Sequence, residues 1–173
     1  MVGFVGAYVF GGGPVELSGM VDPLVRRCGT GARLLDAALV LCDGPALLVV
    51  PRTSAGGRAL ALTRGGTVHH SEHSLELRGR PVPGQVDPAL QVRPAGEPDV
   101  PLVAGLVVDP RVQGRGLGRD LLRRVCEQLV DGGAASVALQ VSVDNDRALG
   151  LYTSLGFAKV STEDYYAVAA APS

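Results

Sequence analysis

Three glycines at alternate positions in Gln113-Gly114-Arg115-Gly116-Leu117-Gly118 have a spacing that itself implies chemistry. Glycine lets a backbone approach a ligand closely, and successive N–H groups at a helix start, with the helix dipole behind them, form an anion site. A diphosphate fits that description. Further along stand Asn145, the one asparagine of the chain, and Tyr152. A phenol with an ordinary pKa of about 10 can protonate a departing anion. Two other phosphate-binding arrangements are excluded. A dinucleotide-binding GxGxxG needs a third glycine where Arg119 or Leu121 stands, and an acidic residue where the chain reads Ala138-Leu139-Gln140. A GxxxxGK[ST] loop needs a lysine, and the sole lysine, Lys159, has no such loop before it.

The glycine turn must be positioned by a strand before it and a helix after it. Leu102–Val108 reads as the strand. Leu117, Leu121, Leu122, Val125, Leu129 and Val130 share one face of a helix that stops at Asp131-Gly132-Gly133. Ser136–Val143 alternates as a second strand, and Asp146–Leu155 reads as a short helix closed by Gly156. Upstream, Val2–Phe10 and Val15–Val21 read as a hairpin around Gly11-Gly12-Gly13, followed by a helix Ala32–Cys42 and a strand Ala46–Val50. Alternation of strands and helices points to α/β architecture.

The two stretches are related. Residues 21–35 match 108–122 at a constant offset of 87, with eight of fifteen positions identical, among them Val21-Asp22-Pro23, Gly29, Gly31 and Leu34-Leu35. Arg58-Ala59-Leu60 recurs as Arg147-Ala148-Leu149. Self-similarity that keeps order and spacing marks a duplicated unit. Arg80-Pro81-Val82-Pro83-Gly84-Gln85 reads as the linker, which predicts one repeat over 1–85 and another over 86–173.

Composition narrows the partners. Sixteen basic against 17 acidic residues leave a net charge of −1, giving no bulk attraction to nucleic acid or an anionic membrane. No apolar run reaches membrane-spanning length, and no basic residue precedes Arg26 to make the opening a signal peptide, so a cytoplasmic location is expected. Three cysteines, Cys28, Cys42 and Cys126, without a CxxC, read as thiols rather than a disulfide framework or zinc site. His69-His70-Ser71-Glu72-His73 reads as an exposed polar loop and not a metal cluster. Near-absence of lysine and asparagine and complete absence of isoleucine suggest a GC-rich bacterial genome.

Val108-Asp109-Pro110 followed by Gln113-x-x-Gly116-x-Gly118 resembles the acetyl-CoA-binding motif of the GCN5-related N-acetyltransferase (GNAT) superfamily. Asn145, Asp146 and Ala148, then Leu151-Tyr152-x-x-Leu155-Gly156-Phe157, resemble its later motif. The resemblance covers Leu102–Val168 closely and Val2–Leu77 more loosely. The paired arrangement resembles mycothiol synthase-like acetyltransferases, with both copies shortened. It implies a mixed-sheet acyl-CoA N-acyltransferase fold in two incomplete copies, with acetyl-CoA as co-substrate. Backbone N–H groups of Gly114, Arg115, Gly116, Leu117, Gly118 and Arg119 would hold the CoA diphosphate. The main chain at Leu106, Val107 and Val108 would pair with the pantetheine arm and polarise the thioester carbonyl. Gln113 and Ala148 belong to the same cofactor-binding set. Asn145 would orient the cofactor while capping the helix at Asp146, and Tyr152 would be the general acid.

In the first repeat Met20, Val21, Arg26, Arg27, Cys28, Gly29, Thr30 and Gly31 form a candidate second cofactor site. The position matching Tyr152 falls at Leu62 or Thr63, so this repeat reads as non-catalytic. No general base is identifiable. Glu163, Asp164, Tyr165 and Tyr166 are candidates for acceptor contacts. The leading expectation is an N-acetyltransferase that moves acetyl to a primary amine of a small molecule or peptide by direct attack, without an acyl-enzyme. A catalytically silent CoA-binding or regulatory module is the alternative, and a scaffold without cofactor a third. Open strand edges are expected to be covered in one composite structure or by a homodimer.

Overall fold

Each helix described begins at a residue suited to start one. The computed structural model describes residues 2–10, 12–84 and 108–169. In chain order these form β1 (Gly3–Tyr8), β2 (Val15–Val21), α1 (Thr30–Val40), β3 (Ala46–Pro51), α2 (Ala55–Thr63), β4 (Thr67–Arg78), α3 (Leu117–Asp131), β5 (Ser136–Ser142), α4 (Asp146–Ser154) and β6 (Ala158–Val168). Gly29 and Gly116, both left-handed, precede α1 and α3, whereas side-chain oxygens of Ser54 and Asn145 accept from Gly57 and Ala148 N–H to cap α2 and α4. The strand order is β1-β2-β3-β6-β4-β5 in one mixed six-stranded sheet, the α/β class expected.

The chain divides into two compact units, residues 1–73 with 161–173, and residues 74–160. The sequence division at 85/86 falls at the first of residues 85–107, outside those described. β4 and β6 each run through both units.

In the first unit β1 and β2 pair antiparallel from Gly3↔Val21 to Tyr8↔Glu16, and β2 runs parallel to β3 over Val15–Leu17 against Ala46–Leu48. β3 pairs antiparallel with β6 from Ala46↔Val168 to Pro51↔Glu163. Leu17, Leu35, Leu39, Leu48, Tyr166 and Val168 are buried in its core. Burying each such side chain stabilises the fold by about 1.5–3 kcal/mol. The helix expected over Ala32–Cys42 begins earlier, at Thr30, because Gly29 already supplies the helix boundary. The histidine run is a strand and not a loop. It lies in β4, where the His70 ring stacks on Tyr165 at 4.1 Å and His73 Nδ1 lies 2.9 Å from Thr162 Oγ1.

In the second unit Leu75 and Leu77 of β4 pack with Leu122 and Cys126, one helical turn apart on α3, and with Leu155 and Phe157. Arg123 is buried at 5% exposure, its Nε donating to Val82 carbonyl and its Nη1 to Asp120. That pair fixes the chain before the undescribed stretch against α3. The strand expected over Leu102–Val108 lies outside the described residues except for Val108.

Candidate functional site

Asp109 shapes the turn that leads into α3. Its side chain accepts from Arg111 N–H at 2.9 Å, starting a short 3₁₀ turn over Pro110–Val112, and its Oδ2 pairs with the Arg111 guanidinium at 2.6 Å. That hydrogen bond holds the Asp109 carboxyl below its ordinary pKa. Gln113 Nε2 then donates to Val108 carbonyl at 2.8 Å, tying the turn to the residue that enters it. Gly114 and Gly116 take φ of 81° and 83°, where a side chain is strained and glycine is not. The first helical bond runs from Asp120 N–H to Gly116 carbonyl, and no side chain caps α3. The N–H groups of Leu117, Gly118 and Arg119 therefore have no intrahelical acceptor.

These groups open on a cleft of about 530 Å³ in the second unit. Its walls are the turn and the N-terminal turn of α3 on one side, and Asn145, Arg147, Ala148, Leu151 and Tyr152 of the α4 region on the other. Arg119 and Arg147 line it, and among the described residues no carboxylate does. A positive, carboxylate-free wall behind uncapped N–H groups suits a phosphate-bearing ligand.

Asn145 and Tyr152 reach the cleft because α4 is fixed at both ends. Asn145 Oδ1 accepts from Ala148 N–H at 3.0 Å, which leaves its amide N–H₂ for another partner. At the other end Gly156 takes φ of 99°, and Phe157 N–H returns to Tyr152 carbonyl at 3.2 Å. The Tyr152 ring lies 6.0 Å from that of Phe157, and burial raises the pKa of its hydroxyl, so the proton stays on oxygen at neutral pH.

The structure thus brings Val108, Gln113, Gly114, Gly116, Leu117, Gly118, Arg119, Asn145, Ala148 and Tyr152 to one cleft. Arg115 sits in the same turn but does not line it, and Leu106 and Val107 lie outside the described residues. Sequence reasoning missed Arg147, whose Nη1 donates to Gln113 Oε1 at 2.9 Å. Its signal was its place between Asp146 and Ala148 in the later motif.

The matching turn of the first unit repeats this backbone. Asp22 accepts from Leu24 N–H, Arg26 Nε donates to Val21 carbonyl at 2.9 Å, and Gly29 has φ of 80°. Where the second unit has Gly114, the first has Arg27 at φ 65°, a left-handed conformation in a residue with a side chain. The acceptor candidates Glu163, Asp164, Tyr165 and Tyr166 lie in β6 within the first unit. Asp164 accepts from Arg52 at 2.7 Å and from Ser71 at 2.7 Å, and Tyr165 and Tyr166 are buried. A separate cleft of about 360 Å³ between α1 and the hairpin of that unit is lined by apolar side chains such as Val5, Leu34 and Leu41.

The acetyltransferase (GNAT) family model matches residues 79–157, which hold the whole cleft. The chain is similar to curated bacterial proteins. N-alpha-acetyltransferase RimI of Mycobacterium tuberculosis is 49% identical over 65 residues, 37% of this chain and 39% of that protein. A mycothiol acetyltransferase of Mycobacterium marinum is 42% identical over 81 residues, 43% of this chain and 25% of that protein. The chain therefore spans well under half the length of either relative. A solved GCN5-related N-acetyltransferase from Sphaerobacter thermophilus matches 99% of this chain and 78% of its own, with a TM-score of 0.76 at 13% identity. A tandem GNAT protein from the clavulanic acid biosynthesis pathway matches 99% of this chain and 80% of its own, with a TM-score of 0.67 at 16% identity. Both likenesses show the GNAT fold. No helix among the described residues is long and apolar enough to cross a membrane.

Proposed function

We propose that the chain is an N-acetyltransferase that binds acetyl-CoA in the second-unit cleft and acetylates a primary amine. The observation that carries this reading is the convergence of the uncapped α3 N-terminus, Asn145 and Tyr152 on one cleft whose described lining holds no carboxylate. The cleft residues fit the cofactor: N–H groups of Gly116–Arg119 for the diphosphate, the Asn145 amide for the arm, and a protonated Tyr152 for the sulfur. Acetyl-CoA supplies an acetyl group activated as a thioester. The amine nitrogen attacks the carbonyl carbon, the C–S bond breaks, and an amide and the free thiol result. Tyr152 gives its proton to the sulfur and recovers one from the nitrogen, so the charges balance. Relatives named for acetylating the alanine of ribosomal protein bS18, and relatives named mycothiol acetyltransferase, support a peptide or small-molecule amine as acceptor.

The two-repeat reading belongs to this proposal: repeat 1 (1–85) contributes a second glycine turn without an acid, and repeat 2 (86–173) contributes the active one. A silent CoA-binding or regulatory module is the second reading. It is favoured by the absence of any Asp, Glu or His from the described lining of the cleft, which leaves the amine without a base there. Calorimetric titration with acetyl-CoA, followed by thiol release with a panel of peptide and small-molecule amines, separates the readings. Binding with turnover supports the enzyme, binding without turnover on any amine supports the silent module, and no binding removes both. The stoichiometry, one or two per chain, tests the second turn.

A further inference from the structure

The Gln113 side chain joins two walls of the cleft. Its amide N–H₂ donates to Val108 carbonyl, which leaves its Oε1 to accept from Arg147 Nη1 at 2.9 Å. An arginine offers five N–H donors and accepts none, so this contact fixes which way the Gln113 amide points and leaves most of the guanidinium uncommitted. We propose that Arg147 is a diphosphate-binding residue of this site, held ready beside the glycine turn by Gln113. The proposal rests on the reading that the cleft takes acetyl-CoA.

Arg147 differs from six arginines of the chain in what holds it. Arg52, Arg64, Arg78, Arg80, Arg111 and Arg123 each pair with a carboxylate. Arg147 is exposed and is held by a neutral amide, and no ion pair with Asp144 or Asp146 forms among the described residues. A neutral partner positions the guanidinium without cancelling its charge. The fork geometry of a guanidinium suits two phosphate oxygens at once, and charge-assisted bonds of this kind are the strong ones.

The first unit supplies an internal contrast. The positions that match Gln113 and Arg147 are Arg26 and Arg58, two cations that cannot bridge because neither accepts a hydrogen bond. Arg26 reproduces the contact to the strand carbonyl, donating to Val21, while the Arg58 charge acts on Asp164. The bridge therefore accompanies the turn that has the three glycines and the tyrosine.

The test is calorimetric titration of the full chain, wild type, Arg147→Ala and Arg147→Lys, with acetyl-CoA and with acetyl-dephospho-CoA, which lacks the 3′-phosphate. Arg147→Ala should weaken both ligands by about 10- to 100-fold. Arg147→Lys should recover part of that loss, and added salt should weaken wild-type binding more than Arg147→Ala binding. Equal affinity in wild type and Arg147→Ala overturns the proposal. So does a loss confined to the ligand with the 3′-phosphate, and so does a loss that is independent of salt and not relieved by lysine, which would mark a packing role. Failure of the wild type to bind acetyl-CoA would appear before any substitution and would instead remove the underlying function.

Discussion

Gly29 and Gly116, 87 positions apart, hold the same backbone conformation, φ 80° and ψ −4° against φ 83° and ψ −8°, each just before a helix that no side chain caps. A Cβ added at either would meet nothing within 4 Å, so the cost of a side chain comes from the left-handed conformation and is about 1–2 kcal/mol. Gly29→Ala and Gly116→Ala should lower stability equally in thermal unfolding. They should differ in binding. If the second unit holds acetyl-CoA, Gly116→Ala and the bulkier Gly116→Val weaken it at least about tenfold, while Gly29→Ala leaves that site unchanged. Unaltered affinity in Gly116→Val would move the site elsewhere.

Tyr152→Phe keeps the ring against Phe157 and removes the hydroxyl. If Tyr152 is the acid that protonates the departing thiolate, kcat should fall by about 10²- to 10⁴-fold while the Kd for acetyl-CoA holds. Burial raises the pKa of Tyr152, so in the wild type the rate loss from its ionisation should begin only above the ordinary tyrosine value of about 10. Equal loss of binding and rate in the variant would make Tyr152 a packing residue.

Asn145 carries two duties that substitution can separate. Asn145→Ala removes the oxygen that accepts from Ala148 N–H and should cost about 1 kcal/mol of stability. Asn145→Asp keeps that acceptor, loses the amide donor and adds a negative charge beside the wall proposed to bind phosphate. Melting temperature should therefore fall for Ala and hold for Asp, with acetyl-CoA affinity lower in both. An Asp variant that binds as tightly as wild type would confine Asn145 to capping.

Cys126 is fully buried, and loss of solvation lifts its thiol pKa from 9.0 to about 11. A folded-state pKa above the unfolded one means stability that is complete below pH 9.0 and is lost as pH rises through about 11. Denaturant midpoints measured across that window should fall for wild type and fall less for Cys126→Ala. The same burial predicts that exposed Cys28 reacts with a thiol reagent in the native protein while Cys126 waits for unfolding.

The turns and helix starts were legible because they depend on residue types a few positions apart: Asp22 and Asp109 before proline, glycine at the left-handed position, Asn145 at a helix cap. The apolar face of α3 was legible in part: Leu122 is buried as period 3.6 requires, but its buried neighbour one turn on is Cys126, outside the face read from the sequence, and Leu129 is exposed. Polar composition hid β4. His69–His73 looked like a loop, yet the buried residues Ser71, Leu75 and Leu77 are separated by even numbers of positions and so share one face of a strand. Arg147 stands within the later motif, but its contact with Gln113 was hidden because it depends on how the Gln113 amide is turned, which the hydrogen bond to the Val108 carbonyl sets. Strand pairing was also out of reach: β3 and β6 lie more than a hundred residues apart, and nothing local in Ala46–Pro51 names its partner.

That long-range pairing gives the final prediction. A cut between residues 85 and 86, at the repeat boundary read from the sequence, leaves the first piece without Tyr166 and Val168, which are buried in the core of the first unit, and strips β3 of its antiparallel partner. The second piece loses Leu75 and Leu77, 0% and 2% exposed, from the core of the second unit. Deleting a buried leucine side chain typically costs about 2–5 kcal/mol, against a total domain stability of about 5–15 kcal/mol. Neither piece should fold cooperatively when expressed alone, and mixing the two should restore the circular dichroism of the intact chain. Circular dichroism and size-exclusion chromatography of residues 1–85, residues 86–173 and their mixture check this. A soluble, cooperatively melting monomer of 86–173 would show that β4 is dispensable and that the second repeat folds on its own.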